Sequence, residues 1–376
     1  MENQEKNTKN DFRFLKTAIS LGYRSIGQTW PNPSVGCVIV KNQHIVGTGN
    51  TAVKGRPHAE KIALDQAKSE ALDSTVYVTL EPCSHVGKTA PCTTQLIKAK
   101  VKRVVCPLKD PNPRVNGKGF EILRKNGIIV DNSPILLKEI KNLNQGFITS
   151  IEKKRPYIAL KLAMSLNGKI ATQTKKSNWI SGEKSRNFVQ LIRSHYDAIM
   201  IGTETAFWDN PSLNLRGQFS DLPQPAKIII DKDLKLSKKM NLIRSKDTEK
   251  LFFLNDLNLK KDKIESMKVK GIKTIGVSKI ENGNLNLDEI CKNLSKLGLT
   301  SVLVEGGGKI ATSLLEVELV DKLILFTAGI ILDKNGIDGF QPSIPESINL
   351  NNYNRYELDK SLTIGNDVAH FWNINN

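Results

Sequence analysis

The chain predicts two α/β domains in tandem. Three observations carry that reading. Its 376 residues are too many for one ordinary domain and comfortable for two. Short apolar runs alternate with amphipathic helical patterns in both halves, which builds sheets with helices packed on them. Near residue 150 the pattern resets across "SIEKKRP", a charged stretch ending in Pro156. We therefore place one domain at residues 1–150 and a second at 151–376.

In the first domain residues 11–28 read as a helix, with Phe14, Leu15, Ala18, Ile19 and Leu21 as its apolar stripe. "PNPS" breaks the chain. "VGCVIV" and "HIVGTG" read as strands joined by a short turn. A helix follows from His58, then the strand "STVYVTL", the helix "CTTQLIKA", the strand "KRVVCPL", the helix "GFEILRKNG" and the strand "IIVD". The second domain opens on the strand "YIALKLAMS", a helix over 183–195 and the strand "DAIMIG". The strands "AKIIID", "KLFFL" and "TIGV" follow. A helix from Asp288, the strand "SVLVEG", a helix from Lys309 and the strand "KLILFTA" complete it. No role is read for the last forty residues.

Hydrophobic residues make up 39% of the chain, enough for two cores. No run of eighteen apolar residues suits a membrane span, and "MENQEKNTKND" lacks the apolar centre of a secretory signal. A soluble cytoplasmic protein with no membrane partner is the expectation. The formal net charge of +17 fits nucleic acid, an anionic small substrate, or a lysine-rich composition without functional meaning. Its basic residues are spread along the chain rather than blocked, so charge alone decides nothing. Five cysteines, an odd count, argue against a disulfide framework. Cys37, Cys106 and Cys291 lie in apolar patterns and read as buried core.

The chemistry concentrates in "RPHAEKIAL" and "TLEPCSHVGKTAPCTTQLI". Zinc takes thiolates and imidazoles, and a catalytic site keeps one position for water, whose pKa falls to about 7. His58, Cys83 and Cys92 supply three ligands of the right type. Two thiolates and an imidazole favour zinc, with iron as the other candidate. Glu60, two residues past His58, is placed to carry protons between that water and a leaving amine. Zinc deaminases of nucleobases divide the work in this way, with the pattern H-x-E and P-C-x-x-C. The match is partial, because eight residues rather than two separate the cysteines. That insertion carries His85 and Lys88, read either as contacts to an anionic substrate group or as a solvated loop.

The first half resembles the cytidine-deaminase-like superfamily, a three-layer fold. "SHVGKTAPC", "PNPSVGCVIV" and "DPNPRVNGKG" resemble its riboflavin-biosynthesis branch, the bifunctional deaminase–reductases. The second half carries "LKLAMSLNGKIAT", "SNWISGEKSRNFVQLIRSHYDAIMIGTETAFWDNPSLNLR" and "LVEGGGKIATSLLEVELVDKL", which resemble the reductase half of that family, with a dihydrofolate-reductase-like fold and NADPH as cofactor. The resemblance implies deamination of a phosphorylated ribosylamino-pyrimidinone, then reduction of its ribosyl group to ribityl. In the deaminase half it implies substrate contacts at Asn32, Lys88, Asp110 and Asn112. In the reductase half it implies cofactor contacts at Met164, Trp179, Thr205 and Asp209, and along Gly307, Gly308, Lys309, Ile310, Ala311, Thr312 and Ser313. It implies further substrate contacts at Ser177, Arg193, Leu213, Arg216 and Glu305, the arginines suiting a ribose phosphate. Asp209 and Glu305 are the polar groups expected near the carbon that accepts hydride.

Read without the family, "VLVEGGGKI" is a strand, three glycines and a helix, which lets backbone amides approach a phosphate. It lacks the G-x-G-x-x-G spacing of a Rossmann site. "TAFWDNPSLNLR" reads equally as a packed turn. Asn167 stands where the family has aspartate, and a turn-shaping role is favoured for it. A nucleic-acid deaminase with a basic accessory domain is the competing reading, disfavoured by the reductase-like motifs. No nucleic-acid partner is expected, and homo-oligomerisation is.

Overall fold

A computed structural model describes residues 2–85, 90–175, 177, 179–237, 239–244, 250–268, 271–341 and 355–374. It divides into two compact units, Met1–Lys154 and Arg155–Asn376.

The first unit runs α1 (Glu2–Tyr23), β1 (Gly36–Lys41), β2 (His44–Asn50), α2 (Ala59–Ala67), β3 (Thr75–Val78), α3 (Cys92–Lys98), β4 (Arg103–Val105), α4 (Lys118–Lys125), β5 (Ile129–Asp131), α5 (Leu137–Leu143) and α6 (Gln145–Glu152). Its five strands lie in the order β2-β1-β3-β4-β5. β1 pairs antiparallel with β2 and β3, while β3, β4 and β5 run parallel. The alternation read from sequence is this order. Cys37 and Cys106 are fully buried in the core with Phe14, Leu15, Ile39 and Leu96. Arg103 ties the sheet to α1: its guanidinium donates to both oxygens of Asp11, at 2.9 and 2.7 Å, and to Asp131 at 2.6 Å.

Two glycines of β2 decide where α2 lies. A Cβ on Gly47 would stand 2.2 Å from the Ala63 carbonyl oxygen, and one on Gly49 would stand 2.2 Å from that of Ala59. Bare backbone at these alternate positions lets the helix settle directly on the strand. α6 departs from the sequence expectation, since it covers the beginning of "SIEKKRP". Phe147 and Ile148 pack against the core and hold it helical.

The second unit runs β6 (Tyr157–Ser165), β7 (Lys169–Ala171), α7 (Glu183–Ser194), β8 (Ala198–Gly202), α8 (Thr203–Asp209), β9 (Ala226–Ile230), α9 (Asn241–Arg244), β10 (Leu251–Asp256), α10 (Lys261–Lys268), β11 (Lys273–Val277), α11 (Leu287–Lys296), β12 (Ser301–Val304), α12 (Gly308–Glu316), β13 (Lys322–Ala328), β14 (Ile337–Asp338), β15 (Glu357–Ile364) and β16 (Asp367–Asn373). Nine strands form one sheet in the order β11-β10-β9-β8-β12-β6-β13-β16-β15. The first seven pair in parallel and the β15–β16 hairpin closes the edge antiparallel. Parallel strands covered on both faces read as continuous apolar runs, as "AKIII" and "LFFL" do. Arg155 opens the unit with a bidentate pair to Asp321, at 2.6 and 2.8 Å, beside the start of β6. Cys291 is buried on α11 as expected. Among the described residues no helix is long and apolar enough to cross a membrane.

Candidate active sites

In the first unit the ligand atoms of His58, Cys83 and Cys92 lie within 4.8 Å of one another. His58 is the residue before α2, in extended conformation, and Glu60 lies in the helix's first turn. Cys83 sits on the segment leaving β3, and Cys92 is the first residue of α3. His58 Nδ1 is 3.7 Å from the Cys83 sulfur and 3.4 Å from the Cys92 sulfur. A tetrahedral zinc with ordinary Zn–N and Zn–S bonds sets those edges at about 3.6 Å. The donor set and its spacing therefore fit zinc.

The Cys92 amide donates to the Cys83 sulfur at 3.3 Å, so a helix N-terminus faces that thiol. The hydrogen bond with Cys92, then that with His58, holds the Cys83 thiol down at about 4. Cys92, the other member of the pair, is pushed up, chiefly by the Cys83 sulfur and then by burial. Glu60 is 4% exposed. Burial first, then the Cys83 charge, pushes its carboxyl above the ordinary value. A carboxyl with a raised pKa next to a hydrolytic centre can both take and return a proton.

Around this cluster, Asn32 donates through Nδ2 to the Gly55 carbonyl at 2.8 Å. Asp110 is buried and Asn112 half-buried on the segment before α4, and burial pushes the Asp110 carboxyl up to about 6. His85 is exposed, and Lys88 lies outside the described residues. Sequence reasoning missed Glu81, a buried carboxylate in "EPC" whose partners are the backbone amides of Asp110, Gly117 and Gly119. Its signal was a glutamate two residues before a metal ligand, inside an apolar run.

In the second unit a cavity of about 1360 Å³ is lined from β6, α7, β8, α8, the 210–216 segment and the start of α12. Ser177, Trp179, Arg193, Thr205, Asp209, Leu213, Arg216, Glu305, Gly307, Gly308, Lys309, Ile310, Thr312 and Ser313 all border it. Two predicted cofactor residues do not: Ala311 is fully buried on the inner face of α12, and Met164 lies half-buried at the end of β6. The Ser177 hydroxyl donates to Asp209 at 2.7 Å. Arg193 grips Glu305 with Nε and Nη2, at 2.5 and 3.0 Å. Burial works to raise the Glu305 carboxyl, but Arg193 outweighs it and holds the group below its ordinary value. Arg193 thus spends two donors on Glu305, whereas Arg216 borders the cavity as an exposed residue.

Gly307 caps α12 without a side-chain hydrogen bond. At Gly308 a Cβ would stand 2.6 Å from the Asp338 carbonyl oxygen, so packing demands glycine there. At Gly307 the nearest atom to a Cβ would be Thr205 Oγ1 at 3.6 Å, ordinary contact. Packing leaves room at Gly307, whose amide donates to Thr205 Oγ1 at 3.0 Å, and Gly307, Gly308 and Lys309 all border the cavity.

Lys161 also borders the cavity and was missed. Burial lowers its ammonium pKa, with the Glu305 charge opposing. A lysine inside the apolar run "YIALKLAMS" was the available signal. Asn167 accepts from the Ser165 hydroxyl at 2.7 Å and from the Leu332 amide at 3.1 Å, and donates to the Leu332 carbonyl at 2.8 Å. Those bonds stitch the turn after β6 to the strand-end loop of β13.

Residues 8–108 match the family model of the cytidine and deoxycytidylate deaminase zinc-binding region, and residues 156–370 match that of the RibD C-terminal domain. The riboflavin biosynthesis protein RibD of Aquifex aeolicus is 37% identical over 94% of this chain and 97% of its own. The Acinetobacter baumannii RibD structure, form 1, superposes with a TM-score of 0.88 at 32% identity, covering 98% of this chain and all of that one. A Thermotoga maritima diaminohydroxyphosphoribosylaminopyrimidine deaminase/5-amino-6-(5-phosphoribosylamino)uracil reductase gives 0.85 at 30% identity, with 98% of this chain covered. The fold class expected of each half holds. With a His-Cys-Cys cluster in one unit and a cavity over a glycine-led helix in the other, the chain belongs to the RibD family of bifunctional riboflavin-biosynthesis enzymes, which pair a zinc deaminase with an NADPH-dependent reductase.

Proposed function

We propose that residues 1–150 deaminate 2,5-diamino-6-ribosylamino-4(3H)-pyrimidinone 5′-phosphate and that residues 151–376 reduce the ribosyl side chain of the product to ribityl. The observation that carries the first half is the cluster of three ligand atoms with buried Glu60 in the first turn of the helix that His58 precedes. His58, Cys83 and Cys92 hold the zinc. Zinc, when bound, supplies Lewis acidity that makes water a nucleophile at neutral pH. Glu60 takes a proton as water adds at the pyrimidine carbon bearing the 2-amino group, and returns one to the departing ammonia. Asn32 orients the ring, and His85, Lys88, Asp110 and Asn112 meet the ribosyl phosphate.

In the reductase half, NADPH supplies the hydride when bound. Trp179, Thr205, Asp209 and the stretch from Gly307 to Ser313 position the cofactor, with Met164 and Ala311 supporting from behind the lining. Ser177 and Asp209 form one polar edge of the cavity and the Arg193–Glu305 pair another. Between them they align the ring-opened ribosyl carbon, and Glu305 and Asp209 are the polar groups near it. Arg216 and Leu213 complete the substrate wall. We further read the protein as a cytoplasmic homo-oligomer acting on small molecules, a state that light scattering of the purified chain measures.

The direct test is Glu60→Gln. It should lower deamination by about a thousandfold or more while bound zinc stays at the wild-type level. Deamination at the wild-type rate would remove Glu60 from the mechanism.

A further inference from the structure

Glu81 lies three residues beyond β3 and two before Cys83, and is 3% exposed. Its carboxylate Oε2 accepts from the Asp110 amide at 3.1 Å and the Gly117 amide at 2.8 Å. Oε1 accepts from the Gly119 amide at 2.9 Å and the Phe120 amide at 3.4 Å. The first two contacts hold both ends of the 110–117 segment. The last two reach the first turn of α4, which begins behind Gly117 at φ +93° and has no side-chain cap of its own. Glu81 is the cap, delivered from another part of the chain.

Within the clamped segment, Asp110 Oδ1 accepts from the Asn112 amide at 2.8 Å, and Asn112 Oδ1 accepts from the Arg114 amide at 3.1 Å. The segment's shape is thus relayed from one carboxylate through two short side chains. Four amide donors need four acceptor positions, which a carboxylate has and a carboxamide lacks. A glutamine of the same size would turn an NH2 group toward two of those N–H groups. The residue type is therefore dictated by acceptor count, and the same short stretch, "EPC", carries a zinc ligand.

We propose that Glu81 is a positioning residue of the deaminase site. It clamps the 110–117 segment to the stretch that bears Cys83, and so sets where Asp110 and Asn112 stand relative to the zinc ligands. This rests on the reading above that Asp110 and Asn112 contact the substrate's ribosyl phosphate.

The test is steady-state deamination by the zinc-loaded full chain carrying Glu81→Gln, followed by ammonia release. Zinc content should stay at the wild-type level, KM should rise about tenfold or more, and kcat should stay within about threefold. NADPH-dependent reduction of already deaminated substrate should be unchanged. A wild-type KM, or a fall in kcat without a rise in KM, overturns the proposal. If Glu81→Gln does not retain zinc, Glu81→Asp takes its place under the same criteria, and zinc loss there too reduces Glu81 to a scaffold role and overturns it. Asp110→Asn and Asn112→Ala separate the two levels of the argument. If neither raises KM, the substrate-contact reading fails and the proposal with it. If they raise KM and Glu81→Gln does not, the clamp alone fails.

Discussion

Residue chemistry was the most legible part of this chain. His58, Cys83 and Cys92 declare themselves because few side chains ligate zinc, although the cysteine spacing matched the known pattern only in part, and the fold brings the three together. Glu81 and Lys161 stayed hidden because one glutamate or lysine in an apolar run looks like noise until its partners are known. Arg193 was expected as a site residue from the family resemblance alone, and its bidentate hold on Glu305, which joins α7 to the end of β12, links residues far apart in sequence. Asn167 illustrates how the fold decides between readings. Its amide both accepts from and donates to Leu332, and a carboxylate can only accept. Asn167→Asp should cost about 1 kcal/mol by urea unfolding, from the lost donor and a charge set against a carbonyl. Reduction kinetics should stay within about threefold of wild type. A larger loss of kcat/KM with unchanged stability would give Asn167 a role in the chemistry rather than in the turn.

Elements were legible where burial imposes a period. The parallel strands of the second unit showed as apolar runs, and α2 showed its stripe. The β15–β16 hairpin did not, because β15 is exposed along nearly its whole length and so lacks a buried face to mark. Nor did α5 and α6, whose short patterns sit beside a charged stretch. α7 carries both an anchor and a pH sensitivity. Asp367, from the start of β16, accepts from the Gly182 amide at 2.7 Å and the Ser185 hydroxyl at 2.6 Å, which holds the N-terminus of α7. At its other end, burial and then the Lys360 charge depress the His195 imidazole to about 4. The folded state therefore favours the neutral ring. Its contribution to stability is full above about pH 6.5, the unfolded value, and is lost as pH falls toward 4. Allowing for the ring's partial exposure, that loss is about 2 kcal/mol. Urea unfolding of wild type and His195→Gln at pH 7.5 and pH 4.5 isolates it: the variant should lose less stability on acidification. Equal losses in both proteins would contradict the depressed imidazole.

For the whole molecule, composition bounded the answer without giving it. The charge of +17 was compatible with two classes of partner and with none, and only the two sites chose among them. The metal cluster was readable because its four working residues fall on two short stretches. The reductase cavity was not, because its wall is assembled from many separate segments of the second unit, and the family's residue pattern anticipated only some of them. Two units with separate cores and separate chemistry imply that either activity can be lost alone. Stripping zinc should therefore abolish deamination and leave reduction of the deaminated compound intact. The central claim is tested most directly by incubating the zinc-loaded chain with the diamino-pyrimidinone ribosyl phosphate, with and without NADPH, and identifying products by mass. The account predicts a deaminated product without NADPH and, with it, a product heavier than that one by two hydrogens. An unchanged substrate mass in both incubations, with zinc bound, would contradict it.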